Sequence, residues 1–246
     1  MRQKGNAHDH ILLVHGAWHG AWCWDRLIEP LRAEGFTPHT IDLPGHGTRA
    51  AETQTLAAYA EAVAARLREL PGPAVLLGHS MGGQVISAAA ELAPERITTL
   101  IYLCAFLCRS GESIFARAAG DDVTLLGPLL QPQADGRLTV ADQGVKPAFY
   151  ADCSDADIAF AKARFVPQSP EPFAAELKVT EEKFGRLRRA YIVCENDKAI
   201  GAPKQRELIA TSPVASELTL PTSHSPFFSA PAELAAAIRA SLDTAP

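Results

Sequence analysis

Gly78-His79-Ser80-Met81-Gly82 carries the pattern G-x-S-x-G, and Gly83 extends it. It follows the apolar run Pro73 to Leu77 and precedes a stretch of helical character, Gln84 to Leu92. Glycines on both sides of a serine suit a strand-to-helix turn too tight for neighbouring side chains. Such a turn holds the serine in a strained backbone conformation, with its Oγ raised above a sheet. Ser80 is therefore the candidate nucleophile. A serine hydroxyl attacks poorly at neutral pH unless a base lies within hydrogen-bond reach. Of eight histidines, His224 is selected, because it stands between the last apolar strand and the last helix. Its loop is expected to emerge at the same sheet edge as Ser80.

An imidazole acting as base needs a carboxylate to fix its tautomer and balance its developing charge. Asp197, in the segment Ile192 to Lys198, sits just past the preceding strand and meets that need. Glu195 is the weaker candidate, since it could still belong to the strand end. No carboxylate directly follows Cys104. Acyl transfer also calls for N–H donors aimed at an oxyanion. The residue after the nucleophile, Met81, supplies one; Ala17, after His15-Gly16 in the first loop, is expected to supply the second. His15 reads as a histidine that holds the loop rather than as a base.

These residues need a scaffold that brings positions 17, 80, 197 and 224 to one edge. Strand and helix alternate along the chain, the mark of a parallel sheet covered on both faces. The expected strands are Ile11–Val14, Phe36–Ile41, Pro73–Leu77, Ile97–Cys104, Ala190–Cys194 and Glu217–Leu220. The expected helices include Asp25–Ala33, Leu56–Leu70 and Pro231–Leu242. About six strands in one α/β fold suit the 246 residues. Residues 107–188 break the rhythm with glycines, prolines, charges and short helical pieces, and read as a cap inserted between core segments 1–106 and 189–246.

Other chemistry is not indicated. Net charge is −5 with no basic run, which argues against nucleic acid or an anionic membrane surface as partner. The segment Met1–His10 has no apolar signal region and is expected to fray, His8-Asp9-His10 included; no stretch reaches membrane-spanning length. Five scattered cysteines without a C-x-x-C pair suit reduced thiols in a cytoplasmic protein. His15 and His19 have i, i+4 spacing but lie in a loop, so no metal pair is expected. Neither G-x-G-x-x-G nor a P-loop is present, and no cofactor is expected. A homodimer is compatible with the sequence.

Val14 to Trp24 (VHGAWHGAWCW), Ile41 to Gly47 (IDLPGHG), Gly78 to Gly83 and Tyr191 to Lys198 (YIVCENDK) together resemble the plant methylesterase and hydroxynitrile lyase group of α/β-hydrolases. Bacterial esterases, pyrethroid hydrolases among them, are similar. The resemblance implies an α/β-hydrolase fold, the triad Ser80, Asp197 and His224, and oxyanion donors at Ala17 and Met81. In that group the lyases carry a threonine where this chain has Gly16, and a cyanide-binding lysine where it has Ser225. The expected function is hydrolysis of a small to medium hydrophobic ester, aromatic or pyrethroid-like esters included, by a serine carboxylesterase. Trp18, His19, Phe106 and Tyr150 are expected at the pocket wall, with Gly16 and Ser225 beside the triad. Cyanohydrin cleavage and a small-ligand receptor on the same fold are the alternatives.

Overall fold

The computed structural model describes residues 9–243. Eight strands follow one another: β1 (Asp9–Val14), β2 (Phe36–Ile41), β3 (Ala74–His79), β4 (Ile97–Leu103), β5 (Leu130–Pro132), β6 (Leu138–Val140), β7 (Arg188–Cys194) and β8 (Ser216–Leu220). Six of them form a parallel sheet in the order β2-β1-β3-β4-β7-β8, and β5 with β6 makes a separate antiparallel hairpin. Strands buried on both faces must be apolar on both. Ile11 to Val14 and Leu76 to Leu77 accordingly have no solvent exposure.

Helices α1 (Ile28–Ala33), α2 (Leu56–Glu69) and α3 (Gly82–Leu92) connect the first four strands. The chain steps from β1 outward to β2, then reverses past β1 to β3. Right-handed crossovers therefore put α1 on one face of the sheet and α2 with α3 on the other. Such a reversal opens a crevice at the carboxyl ends of the strands, here β1 and β3, where ligands bind in open α/β sheets. Helices α4 (Ile114–Ala118), α5 (Asp142–Phe149), α6 (Asp155–Lys162) and α7 (Glu171–Ala174) lie with the hairpin in the excursion between β4 and β7. Beyond them come α8 (Ala202–Thr211), α9 (Pro226–Ser229) and α10 (Pro231–Asp243). Helix α10 packs on α1 and on β7 and β8.

The excursion is stitched to the rim of the sheet at several points. Gln84 Nε2 donates to Pro172 O and Ala175 O at 3.1 and 3.0 Å, Leu125 N–H to Lys198 O at 2.7 Å, and Gly201 N–H to Asp121 Oδ2 at 2.8 Å. No helix among the described residues is long and apolar enough to cross a membrane.

Several boundaries differ from expectation for local reasons. β1 begins at Asp9, because Asp9 and His10 pair with Phe36 and Thr37; His8 lies outside the described residues. α1 begins at Ile28, after a 3₁₀ turn over Ala21–Trp24, and Pro30 falls in its first turn where no N–H is required. β4 stops at Leu103, since Cys104 turns into the left-handed region at φ +34°. The β5–β6 hairpin has no counterpart among the expected elements.

Gly78 is the penultimate residue of β3, just before the chain doubles back. A Cβ placed there would lie 2.4 Å from Gly82 O, a backbone atom that cannot swing aside. Gly78→Ala is expected to lower stability by about 3 kcal/mol through overpacking, read as a lower urea midpoint. An unchanged midpoint would refute the tightness of this turn.

Candidate active site

Ser80 follows β3 directly and has φ +57°, in the left-handed region that a residue with a side chain rarely occupies. Its N–H donates to Leu103 O at 3.3 Å, and its carbonyl accepts from Gly83 N–H and Phe106 N–H, both at 3.1 Å. Among the described residues only Trp18, Ser80 and Cys104 combine a side chain with positive φ, and all three lie at the carboxyl ends of the central strands. Strain of this kind persists only where the surroundings over-determine it.

His224 is fully buried in the loop between β8 and α9. Its Nδ1–H donates to Asp197 Oδ2 at 2.6 Å, which leaves Nε2 as the basic position. Asp197, in the loop after β7, is 1% exposed. Its Oδ1 accepts from Ala199 N–H at 2.7 Å and Ile200 N–H at 3.0 Å, and Gln205 Nε2 donates to Oδ2 at 3.2 Å. A buried carboxylate needs such donors in place of water. Glu195 instead faces outward to Arg206, at 2.6 Å.

Neither Ser80 Oγ nor His224 Nε2 makes a hydrogen bond within the described chain. The link between their loops is His79, whose Nε2–H donates to His224 O at 2.9 Å, with the two rings 4.5 Å apart. Catalytic hydrogen bonds are often long without substrate and shorten in the reacting complex. His79, Cys104 and His224 also bring potential ligand atoms within 4.8 Å of one another. His79 Nε2 and His224 Nδ1 in that group are already committed to His224 O and Asp197.

The first loop presses against the serine turn. A Cβ on Gly16 would stand 2.8 Å from Ser80 Cβ and 3.0 Å from His79 Nδ1. Ala17 and Met81, on the two sides of this contact, are 3% and 1% exposed. Their N–H groups donate to no group of the described chain, although buried backbone donors are almost always paired. His15 holds the loop: Leu43 N–H donates to its Nε2 at 3.1 Å, so Nδ1 carries the proton and donates to Gly16 O at 2.8 Å.

An apolar cavity of about 370 Å³, lined by Trp18, Phe106, Ile114, Phe115, Leu130 and Phe173 among others, adjoins this site through Trp18, which follows Ala17, and Phe106, whose N–H donates to Ser80 O. Ser80 and His224 themselves do not line it. The charged group in its wall, Asp121, already accepts from Val123 N–H and Gly201 N–H. Trp18 and Phe106 thus stand at the cavity as the sequence suggests. Gly16, His19, Tyr150 and Ser225 do not line it. His19 and Tyr150 are buried behind it, joined at 2.6 Å, and Ser225 precedes α9 with its carbonyl accepting from Phe228 N–H. Sequence reasoning missed Gln205, His79 as a clamp on His224, and Asp152, which accepts from both the N–H and the hydroxyl of Ser223. His79 was visible as the second residue of G-x-S-x-G, whereas Gln205 and Asp152 have no local signature.

Burial holds His15 and His79 well below the ordinary histidine pKa, lowers His46, and brings His19 to about 3. In the unfolded chain each titrates near 6.5, so below that pH the unfolded chain takes up protons that the folded one refuses. Stability is then complete above about pH 6.5. It declines on acidification by about 1.4 kcal/mol per pH unit for each histidine, continuing for His19 towards pH 3. Urea midpoints are expected to be level from about pH 7.5 to 6.5 and to fall between about 6.5 and 5, above the carboxylate range. A level midpoint down to pH 5 would contradict buried neutral histidines.

The chain matches the alpha/beta hydrolase family over residues 11–237. It is 31% identical over 241 residues to putative methylesterase 12, chloroplastic, of Arabidopsis thaliana, covering 91% of this chain and 69% of that protein. Methylesterase 7 of the same plant is 30% identical over 249 residues, with 92% and 93% covered. Among solved structures, a pyrethroid hydrolase from Sphingobium faniae JZ-2 superposes with TM-score 0.81 at 29% identity, covering 94% of this chain and 95% of that one. Polyneuridine aldehyde esterase shares the fold, with TM-score 0.85 at 24% identity over 96% and 100% of the two chains. Six parallel strands, helices on both faces and the glycine-flanked serine turn agree with these matches: the chain belongs to the alpha/beta hydrolase family.

Proposed function

We propose that the protein is a serine carboxylesterase acting on small to medium hydrophobic esters, aromatic ones included, through an acyl-enzyme. The observation that carries this reading is the pair of buried, unspent N–H groups of Ala17 and Met81 on either side of Ser80. Donors left unpaired in a dry site cost stability, and an oxyanion is the group that makes use of them. Similarity to proteins named as methylesterases and as a pyrethroid hydrolase supports ester hydrolysis.

In this mechanism His224 Nε2 takes the Ser80 proton as Oγ attacks the ester carbonyl. The Asp197 carboxylate balances the imidazolium. Ala17 and Met81 N–H groups hold the tetrahedral oxyanion, which collapses as His224 returns the proton to the leaving alcohol. Water, deprotonated by the same imidazole, attacks the acyl-enzyme, and collapse of the second intermediate frees the acid and restores Ser80. The cavity of about 370 Å³, walled by Trp18, Phe106 and Phe173, takes the apolar part of the ester.

The absence of room for a side chain at Gly16 favours hydrolysis over cyanohydrin cleavage, because a threonine there would displace Ser80 or His79. Residues 107–187 act as the cap, with 9–106 and 188–243 as the core, one residue short of the expected boundary because Arg188 already pairs with Thr99 in the main sheet. A cytoplasmic site of action suits five free cysteines, four of them buried.

Assays with p-nitrophenyl butyrate, p-nitrophenyl benzoate and mandelonitrile separate the readings. Hydrolysis of the esters is expected, with kcat reduced about 10⁶-fold in Ser80→Ala and His224→Ala and about 10⁴-fold in Asp197→Asn while the variants stay folded by circular dichroism. Full hydrolysis by Ser80→Ala would end the proposal. Cyanide release would point to the lyase, and tight ligand binding without turnover to a receptor.

A further inference from the structure

We propose that Tyr150, acting through His19, is a positioning residue for the oxyanion donor Ala17. This rests on the esterase reading above. Ala17 lies between two carbonyls, each held by a histidine. Gly16 C=O accepts from His15 Nδ1–H at 2.8 Å. That carbonyl shares a peptide plane with Ala17 N–H, and in a trans peptide the two point in opposite directions, so holding one aims the other. Ala17 C=O, in the next plane, accepts from His19 Nδ1–H at 2.7 Å. The N–H of that plane belongs to Trp18, whose φ of +63° would relax if the plane were released.

His19 can hold Ala17 C=O only in the tautomer protonated at Nδ1. Its Nε2 must then accept, and the group that donates to it is the Tyr150 hydroxyl at 2.6 Å. Tyr150 follows α5, in the excursion between β4 and β7, and is 131 residues away along the chain. Both side chains are buried, His19 at 2% exposure and Tyr150 at 0%. Burial keeps His19 neutral, with a pKa near 3, and pushes the Tyr150 hydroxyl well above its usual range, so the hydrogen-bonded chain is intact across working pH. Neither residue lines the apolar cavity. Tyr150 also neighbours the Ser225 side chain, beside His224, so a change at Tyr150 is read through the ketone-to-product affinity ratio and not through kcat alone.

Tyr150→Phe keeps the ring and removes the donor. The expected result is a fall in kcat of about tenfold, a fraction of the loss of a whole oxyanion donor, with KM within about twofold. Affinity for an alkyl trifluoromethyl ketone, which forms an oxyanion on Ser80, falls by the same factor, while affinity for the product acid is kept. His19→Gln gives a similar loss, and the double variant is no worse than the more impaired single one, because both act through one contact. Unchanged kcat and ketone affinity in folded Tyr150→Phe would overturn the proposal, as would an equal loss of product affinity. If Tyr150→Phe does not fold, the ketone-to-product affinity ratio of His19→Gln decides by the same criterion. Ser80→Ala is assayed in parallel. Retained hydrolysis in that variant overturns the esterase reading and this proposal with it; an inactive Ser80→Ala beside an unimpaired Tyr150→Phe overturns this proposal alone.

Discussion

Nothing larger than a hydrogen fits between the first loop and the serine turn, and the rest of the site follows from that contact. With a Cβ at position 16 only 2.8 Å from Ser80 Cβ, this arrangement of the two loops leaves room only for glycine at residue 16. The contact is possible because β1 lies directly beside β3, with β2 on the far side. Adjacent parallel strands deliver their loops to the same edge, and two N–H donors arrive there without any helix or strand to absorb them. Leaving each unpaired costs about 1–3 kcal/mol. The surrounding sheet, apolar on both faces, is what offsets that cost.

Charge is distributed around this contact in a consistent way. Asp197 has two backbone N–H groups, the Gln205 amide and the His224 imidazole arranged around it in place of water. His15, His19 and His79, around the first loop and the serine turn, are kept neutral by burial and serve as directional donors. A neutral imidazole gives a donor at one nitrogen and an acceptor at the other, so each one joins two segments of chain. His15 joins the first loop to Leu43, His19 joins it to Tyr150, and His79 joins the serine turn to the carbonyl of residue 224.

The placement of Ser80, Asp197 and His224, the trio of the proposed mechanism, was legible because each member sits just past an apolar run, where alternation of strand and helix fixes which edge it reaches. Ser80 had flanking glycines as well, and Asp197 and His224 had their order along the chain. The strands of the main sheet were readable to within about two residues from apolar runs alone. The hairpin β5–β6 was missed although Asp135-Gly136 is a turn signal, because its strands are three residues long and only half-buried or exposed. Pairings such as Tyr150 with His19, or Asp152 with Ser223, join residues 131 and 71 positions apart. No spacing or periodicity in either segment encodes the partner, and only the folded chain brings them together. The pocket wall was half legible for the same reason: Trp18 and Phe106 belong to loops at the sheet edge, while the placement of Tyr150 depends on how α5 packs.

The last strand of the sheet, β8, stands at its edge and carries the loop that presents His224. During synthesis the ribosome releases the serine turn long before that strand. A nascent chain that has exposed residue 80 can fold much of the sheet and still lack the residue that the proposed mechanism uses as proton acceptor. Under that mechanism, reactivity would begin only after β8 has docked.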